Sequence, residues 1–223
     1  MSRKTGKPSY VRRDEEQRRR RVPLVAAMVA AAALLVVGGG SGFLASRPDA
    51  TTRAVEEIRK QEAVRDLAQT KELTTVARGS QEALGKLLTE LDAAVAADRP
   101  ATAAEVDAWK STVGGLVRKH ADSPSGTTAT NVARGGLRAA VDGFALAVDL
   151  YATSLEVPPA NRPALLRSVE QARRTATVGW SVAAAQLDQL NIDAGLGHQH
   201  VYLQTEQGSG AFTADGEPEG VPN

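Results

Sequence analysis

The chain has 223 residues, of which 42% are hydrophobic, 24% charged and 4% aromatic, and it contains no cysteine. This composition is far from a disordered one and fits one or two domains, while the lack of cysteine excludes disulfide frameworks, zinc ribbons, iron–sulfur clusters, thiol catalysis and a lipoprotein anchor. The formal net charge of +1 hides a division: nine Lys/Arg stand against three Asp/Glu in residues 1–21, none of either in 22–46, and eighteen against twenty-three in 47–223.

Residues 1–21 read as a basic cytoplasmic segment and residues 22–46 as a transmembrane helix. The uncharged run is 25 residues long, and about 20 suffice to cross a hydrocarbon layer about 30 Å thick. Pro23 falls in the first turn, where its missing N–H costs no hydrogen bond. Arg18, Arg19, Arg20 and Arg21 abut the run; basic flanks stay on the cytoplasmic side, which places residues 47–223 outside. The same arginines attract the anionic head groups of the lipid bilayer. As a nucleic-acid site the patch is too short and lacks interleaved aromatics. The competing reading is a cleaved secretory signal, with small residues such as Gly39 and Ser41 at the cleavage site and a secreted product. The apolar stretch 22–37 is 16 residues, just beyond the roughly 7–15 of such signals, so an uncleaved anchor is expected. Gly38/Gly42, Ala26/Ala30 and Ala27/Ala31 have the small-xxx-small spacing of a homo-oligomeric span, although an Ala/Gly-rich run holds such pairs by chance. Arginine exceeds lysine 20 to 7 and alanine is abundant, as in a GC-rich bacterial genome.

Beyond residue 46 the apolar positions recur at helical spacing. The expected fold is all-α: a stalk over 47–72, an extracytoplasmic antiparallel bundle of about four helices over 73–195, and a flexible acidic tail over 196–223. Charges dominate the stalk, with Val55, Ile58, Val64 and Leu67 scattered among them. Leu84, Leu87, Leu91 and Val95 then mark one face, with Gly79 or Gly85 at the change from stalk to core. Arg99-Pro100 ends this helix. Thr102-Ala-Ala-Glu105 is a capping box opening a second helix, in which Val106, Trp109, Val113, Leu116, Val117 and His120 point one way. After a turn over 122–128, the third helix carries Leu137, Val141, Phe144, Val148, Tyr151 and Leu155 at the heptad spacing of a bundle seam. Asn161 is expected to cap the fourth helix, with Pro163 in its opening turn and Gly195 as its stop. Trp109 and the fourth-helix Trp180 complete the predicted bundle core. Gly114-Gly115 and Gly135-Gly136 lie at nearly equal heights of a helical hairpin, where two bare backbones could meet; the alternative is a frayed start to the third helix.

Few residues suggest chemistry. His198 and His200 form a His-x-His able to bind copper, nickel or zinc together with a third ligand, such as His120 or a tail carboxylate. Two histidines on a solvated tail make no site alone, so no metal is assigned, and His120 is more simply a side chain placed favourably at a helix C-terminus. Asp188 and Asp193 read as surface charges. There is no glycine-rich phosphate loop, no Gly-x-Ser-x-Gly elbow and no His-Glu-x-x-His. No catalytic residue and no cofactor is assigned, and the chain is not expected to be an enzyme. The expected function is a membrane-anchored extracytoplasmic scaffold or interaction module, an accessory subunit or connector in a bacterial envelope complex. Its expected partners are the lipid bilayer and other envelope or membrane proteins. The alternatives are a ligand-sensing ectodomain, which needs an apolar pocket between helices, and a metal-binding envelope protein using the His-x-His.

Overall fold

The computed structural model describes residues 50–96, 100–204 and 209–220. The basic segment with Arg18, Arg19, Arg20 and Arg21 and the expected span at 22–46 lie outside the described residues, among which no helix is long and apolar enough to cross a membrane. The chain divides into two units, 1–59 and 60–223, and the described part of the first is an exposed helical stretch, 50–59. The bundle belongs to the second.

Among the described residues there are four helices and no strand: α1 (Ala50–Ala96), α2 (Ala103–His120), α3 (Thr128–Glu156) and α4 (Arg162–Asp193). Local signals set most of their ends. The Thr102 hydroxyl accepts from the Glu105 backbone N–H while the Glu105 carboxylate accepts from the Thr102 N–H, the reciprocal box that the sequence predicts. Thr127 caps α3 by accepting from the Thr130 N–H. Gly195, at φ +70°, stops α4: its N–H bonds the Ile192 carbonyl and the Leu196 N–H bonds the Asn191 carbonyl, the two bonds of a Schellman stop. Asn161 departs from expectation. It precedes α4, but its own backbone is helical (φ −93°, ψ −18°) and its side chain makes no capping bond. A capping side chain reaches the free N–H groups from an extended residue, and Asn161 is not one.

Paired contacts give the topology. Along α1, Ser80 and Glu90 meet His120 and Trp109 of α2 in descending order, and Thr74 and Asp92 meet Asn191 and Arg173 of α4. Gly136 and Gly143 of α3 face Ala183 and Ala176 of α4. Each of these neighbours is antiparallel, giving an up-down-up-down bundle. Leu137, Val141, Phe144, Val148, Tyr151, Trp109 and Trp180 are buried, and Leu155 is half-buried near the end of α3. The polar ends of the aromatics are bonded: Trp109 Nε1 donates to Glu90, and the Tyr151 hydroxyl accepts from the Ala101 N–H. Burial in α1 begins at Gln69 and Thr70, and the helix runs unbroken through Gly79 and Gly85.

The paired glycines of α2 and α3 do not meet. A Cβ at Gly114 or Gly115 would lie near Arg118 of its own helix only, and one at Gly135 near nothing. The close seam is α3 against α4, where a Cβ at Gly136 or Gly143 would come within 2.8 and 2.9 Å of the Cβ atoms of Ala183 and Ala176. Such distances exclude a side chain unless the helices separate.

Residues 196–204 and 209–220, expected as a flexible tail, lie against the bundle instead. Val201 is completely buried and Leu203 nearly so. Trp180 Nε1 donates to the Val201 carbonyl at 2.7 Å, and Gln81 of α1 donates to the Tyr202 carbonyl at 2.6 Å. Two apolar side chains in the core and two bonded carbonyls outweigh the low overall hydrophobicity of the segment.

Candidate metal centre

Residues 197–203 form a strap that starts at Gly197 (φ +71°), and from His200 to Leu203 its side chains fall alternately outside and inside the core, as in extended backbone. Val201 and Leu203 enter the core, while the rings of His198, His200 and Tyr202 follow one another, mutually tilted, with centroids 5.5 and 6.1 Å apart. Beneath them lies α4, which buries a second stripe beside its apolar one: Thr177, Ser181, Ala184, Asp188 and Asn191. Asp188 is therefore an inward carboxylate, not the surface charge that its flanking polar residues suggest, whereas Asp193 is exposed.

Four side chains converge here. One ligand atom from each of Asp188, His198, His200 and Asp215 lies within 4.8 Å of all the others. His198 Nδ1 stands 3.1 Å from Asp188 Oδ2 and 3.8 Å from Asp215 Oδ2. His200 Nε2 stands 3.4 Å from Asp215 Oδ1 and 3.9 Å from Asp188 Oδ2. Donors about 2.0–2.2 Å from a tetrahedral ion stand about 3.4 Å from one another, so these separations bracket what an ion would draw together. His200 Nε2 is buried and hydrogen-bonds none of its neighbours.

The surroundings orient the donors. Asp188 Oδ1 accepts the Gln199 backbone N–H at 2.5 Å, which turns Oδ2 toward the histidines. The Glu217 backbone N–H bonds Asp215 and, with the two histidines, holds its carboxyl below the usual range despite slight desolvation. Burial, then the Asp188 and Asp215 carboxylates, push the Tyr202 phenol above its ordinary value. A parallel bridge between His198 and Glu219, with the Gly220 N–H on the His198 carbonyl at 2.9 Å, lays residues 209–220 beside the strap.

The structure thus brings His198 and His200 together with one tail carboxylate, Asp215, and adds Asp188. It keeps His120 apart. That ring is buried, as its place on the inward stripe of the second helix predicts; its Nε2 lies 2.9 Å from the Ser80 hydroxyl and it meets the Trp180 ring in an edge-to-face contact with centroids 6.1 Å apart. Burial, then Lys119, lower its pKa against a smaller opposing pull from Asp142 of α3, so His120 belongs to the core as a neutral group. Asp188 was concealed by its place beside the apolar stripe, although 177-181-184-188-191 has the 4-3-4-3 spacing of a second buried seam. Between α1 and α4 lies an open groove of about 840 Å³ lined in part by Arg78, Glu82, Lys86, Asp92, Arg173 and Arg174.

The chain matches no protein-family model, no curated protein and no solved structure.

Proposed function

We propose that the chain is a single-pass, non-enzymatic membrane protein whose helical module, outside the membrane, binds one divalent transition-metal ion through Asp188, His198, His200 and Asp215. The metal reading is carried by one observation: His200 Nε2 is buried without a hydrogen bond, facing two carboxylates and a second imidazole. Leaving such a nitrogen without a hydrogen bond is costly, and an ion among the four donors gives it a direct ligand bond. Two carboxylates balance the charge of a divalent cation. Imidazole and carboxylate donors without thiolate suit Zn²⁺, Ni²⁺ or Co²⁺ better than Cu⁺, and the histidines disfavour Ca²⁺ and Mg²⁺.

Equilibrium dialysis of the full chain in mild detergent with Zn²⁺, followed by elemental analysis, should find one ion per chain. His200→Ala should weaken binding by more than the roughly 10–100-fold typical of an outer-shell partner, while His120→Asn should leave it unchanged. Binding that survives both His200→Ala and Asp188→Asn would remove the site.

The membrane reading rests on the uncharged run 22–46 behind Arg18–Arg21, and the interaction role on the rigid bundle held beyond it, open to other envelope proteins or to a second copy. The chain has no native cysteine, so single introduced ones report position. In wall-stripped cells a membrane-impermeant thiol reagent should label Ser123→Cys and spare Ser9→Cys. The reverse pattern would invert the topology, and a product shortened by the leader would make it a secreted protein.

A further inference from the structure

The metal reading has a mechanical corollary that rests on it: we propose that the ion is a clasp fixing residues 209–220 to the bundle, so that metal supply decides whether this acidic stretch is docked or free. The four donors come from three stretches of chain. Asp188 stands on α4, His198 and His200 on the strap, and Asp215 on residues 209–220. The first two are held without any ion, because Val201 and Leu203 are in the core, Trp180 and Gln81 bond the strap carbonyls, and Asp188 accepts the Gln199 N–H.

The third stretch has no such hold. None of its twelve residues is buried, and Phe212 is largely exposed. Among the described residues its hydrogen bonds to the remainder are the Phe212 N–H to Ser181 Oγ, the Gly220 N–H to the His198 carbonyl, and Glu219 accepting from the His200 N–H and from Arg78. The Glu219 bonds are exposed and largely offset by water, an exposed ion pair contributes little, and the part-buried Phe212–Ser181 bond adds only the modest net gain of one hydrogen bond, whereas every residue fixed in place costs conformational entropy. Asp215 differs from the other contacts. The Glu217 N–H presents its carboxylate toward three donors already in position, and a metal–carboxylate bond to a held ion is far stronger than those contacts. Residues 209–220 carry Asp215, Glu217 and Glu219 and no Lys/Arg. Docked, this peptide lies along Ser181 and the strap; freed, it is an acidic arm.

Hydrogen exchange of the full chain in detergent, with and without Zn²⁺, separates the two claims. With Zn²⁺ at about ten times its Kd, exchange in 209–220 should slow severalfold, with about tenfold as the ceiling that linkage sets, because the three remaining donors still bind the ion when the stretch is free. Exchange in 197–203 and in α2 and α3 should change little. Asp215→Asn should still take up Zn²⁺, more weakly, but lose the protection of 209–220. Bound Zn²⁺ with unchanged exchange in 209–220 would overturn the clasp and leave the metal site standing. Absence of bound Zn²⁺ would overturn both, and equal protection of the strap and 209–220 would overturn the assignment of the outer stretch alone to the ion.

Discussion

Ending the chain at Leu196 should lower the stability of the bundle by about 3–6 kcal/mol, measured in urea with chelator present so that no ion contributes. Val201 and Leu203 are core residues, and burying an apolar side chain contributes about 1.5–3 kcal/mol. The truncation also leaves the Trp180 indole N–H without the Val201 carbonyl that it bonds at 2.7 Å, a further loss of about 1–3 kcal/mol if the group stays dry. A solvated tail predicts no change of midpoint. An unchanged tryptophan-fluorescence melt would therefore return residues 197–203 to the status of an unattached arm.

Trp180→Ala should cost about 3–5 kcal/mol, as for other large buried aromatics. Trp180 is completely buried, meets the ring of His120 edge-on and bonds the strap. Trp180→Phe separates these roles: it keeps most of the apolar volume and strands the Val201 carbonyl, for a loss of about 1–3 kcal/mol. In a chain ending at Leu196 there is no carbonyl to strand, so Trp180→Phe should cost less there. Contacting groups commonly couple by about 0.5–3 kcal/mol. Calorimetric or urea melts of the four chains complete the cycle, and strict additivity would mean that the indole and the strap do not cooperate.

The helices were legible because their signals are local and repeat. The Thr102–Glu105 box needs four residues, the α3 seam is a 4-3-4-3-4 series, and Gly195 acts on the turn before it. What escaped was non-local. Whether Val201 and Leu203 are buried depends on a slot beside Trp180 that exists only once α1 and α4 have packed. The alternation His198-Gln-His-Val-Tyr-Leu203 is an extended pattern of period two, but six residues between glycine-rich stretches carry little weight beside helices of up to 47 residues. Asp188 and Asp215 are 27 positions apart, and no short motif joins them. The glycine pairs misled for a related reason: equal height in a hairpin fixes level but not azimuth, and Gly136 turns toward α4, not α2.

The return of the strap also has a bearing on the order in which the molecule can assemble. The α3–α4 hairpin needs only contacts between consecutive helices. By contrast, Thr74 waits for Asn191, Arg78 for Gln199 and Gln81 for Tyr202, at separations of 117, 121 and 121 residues. Contacts that close long loops form late. During synthesis α1 is the first helix of the bundle to emerge, yet its contacts with α4 and the strap form only once residues 173–202 have followed. Apolar surface of α1 left bare over this interval is of the kind that draws chains into aggregates. The first helix of the bundle is thus closed over by residues made more than a hundred positions after it.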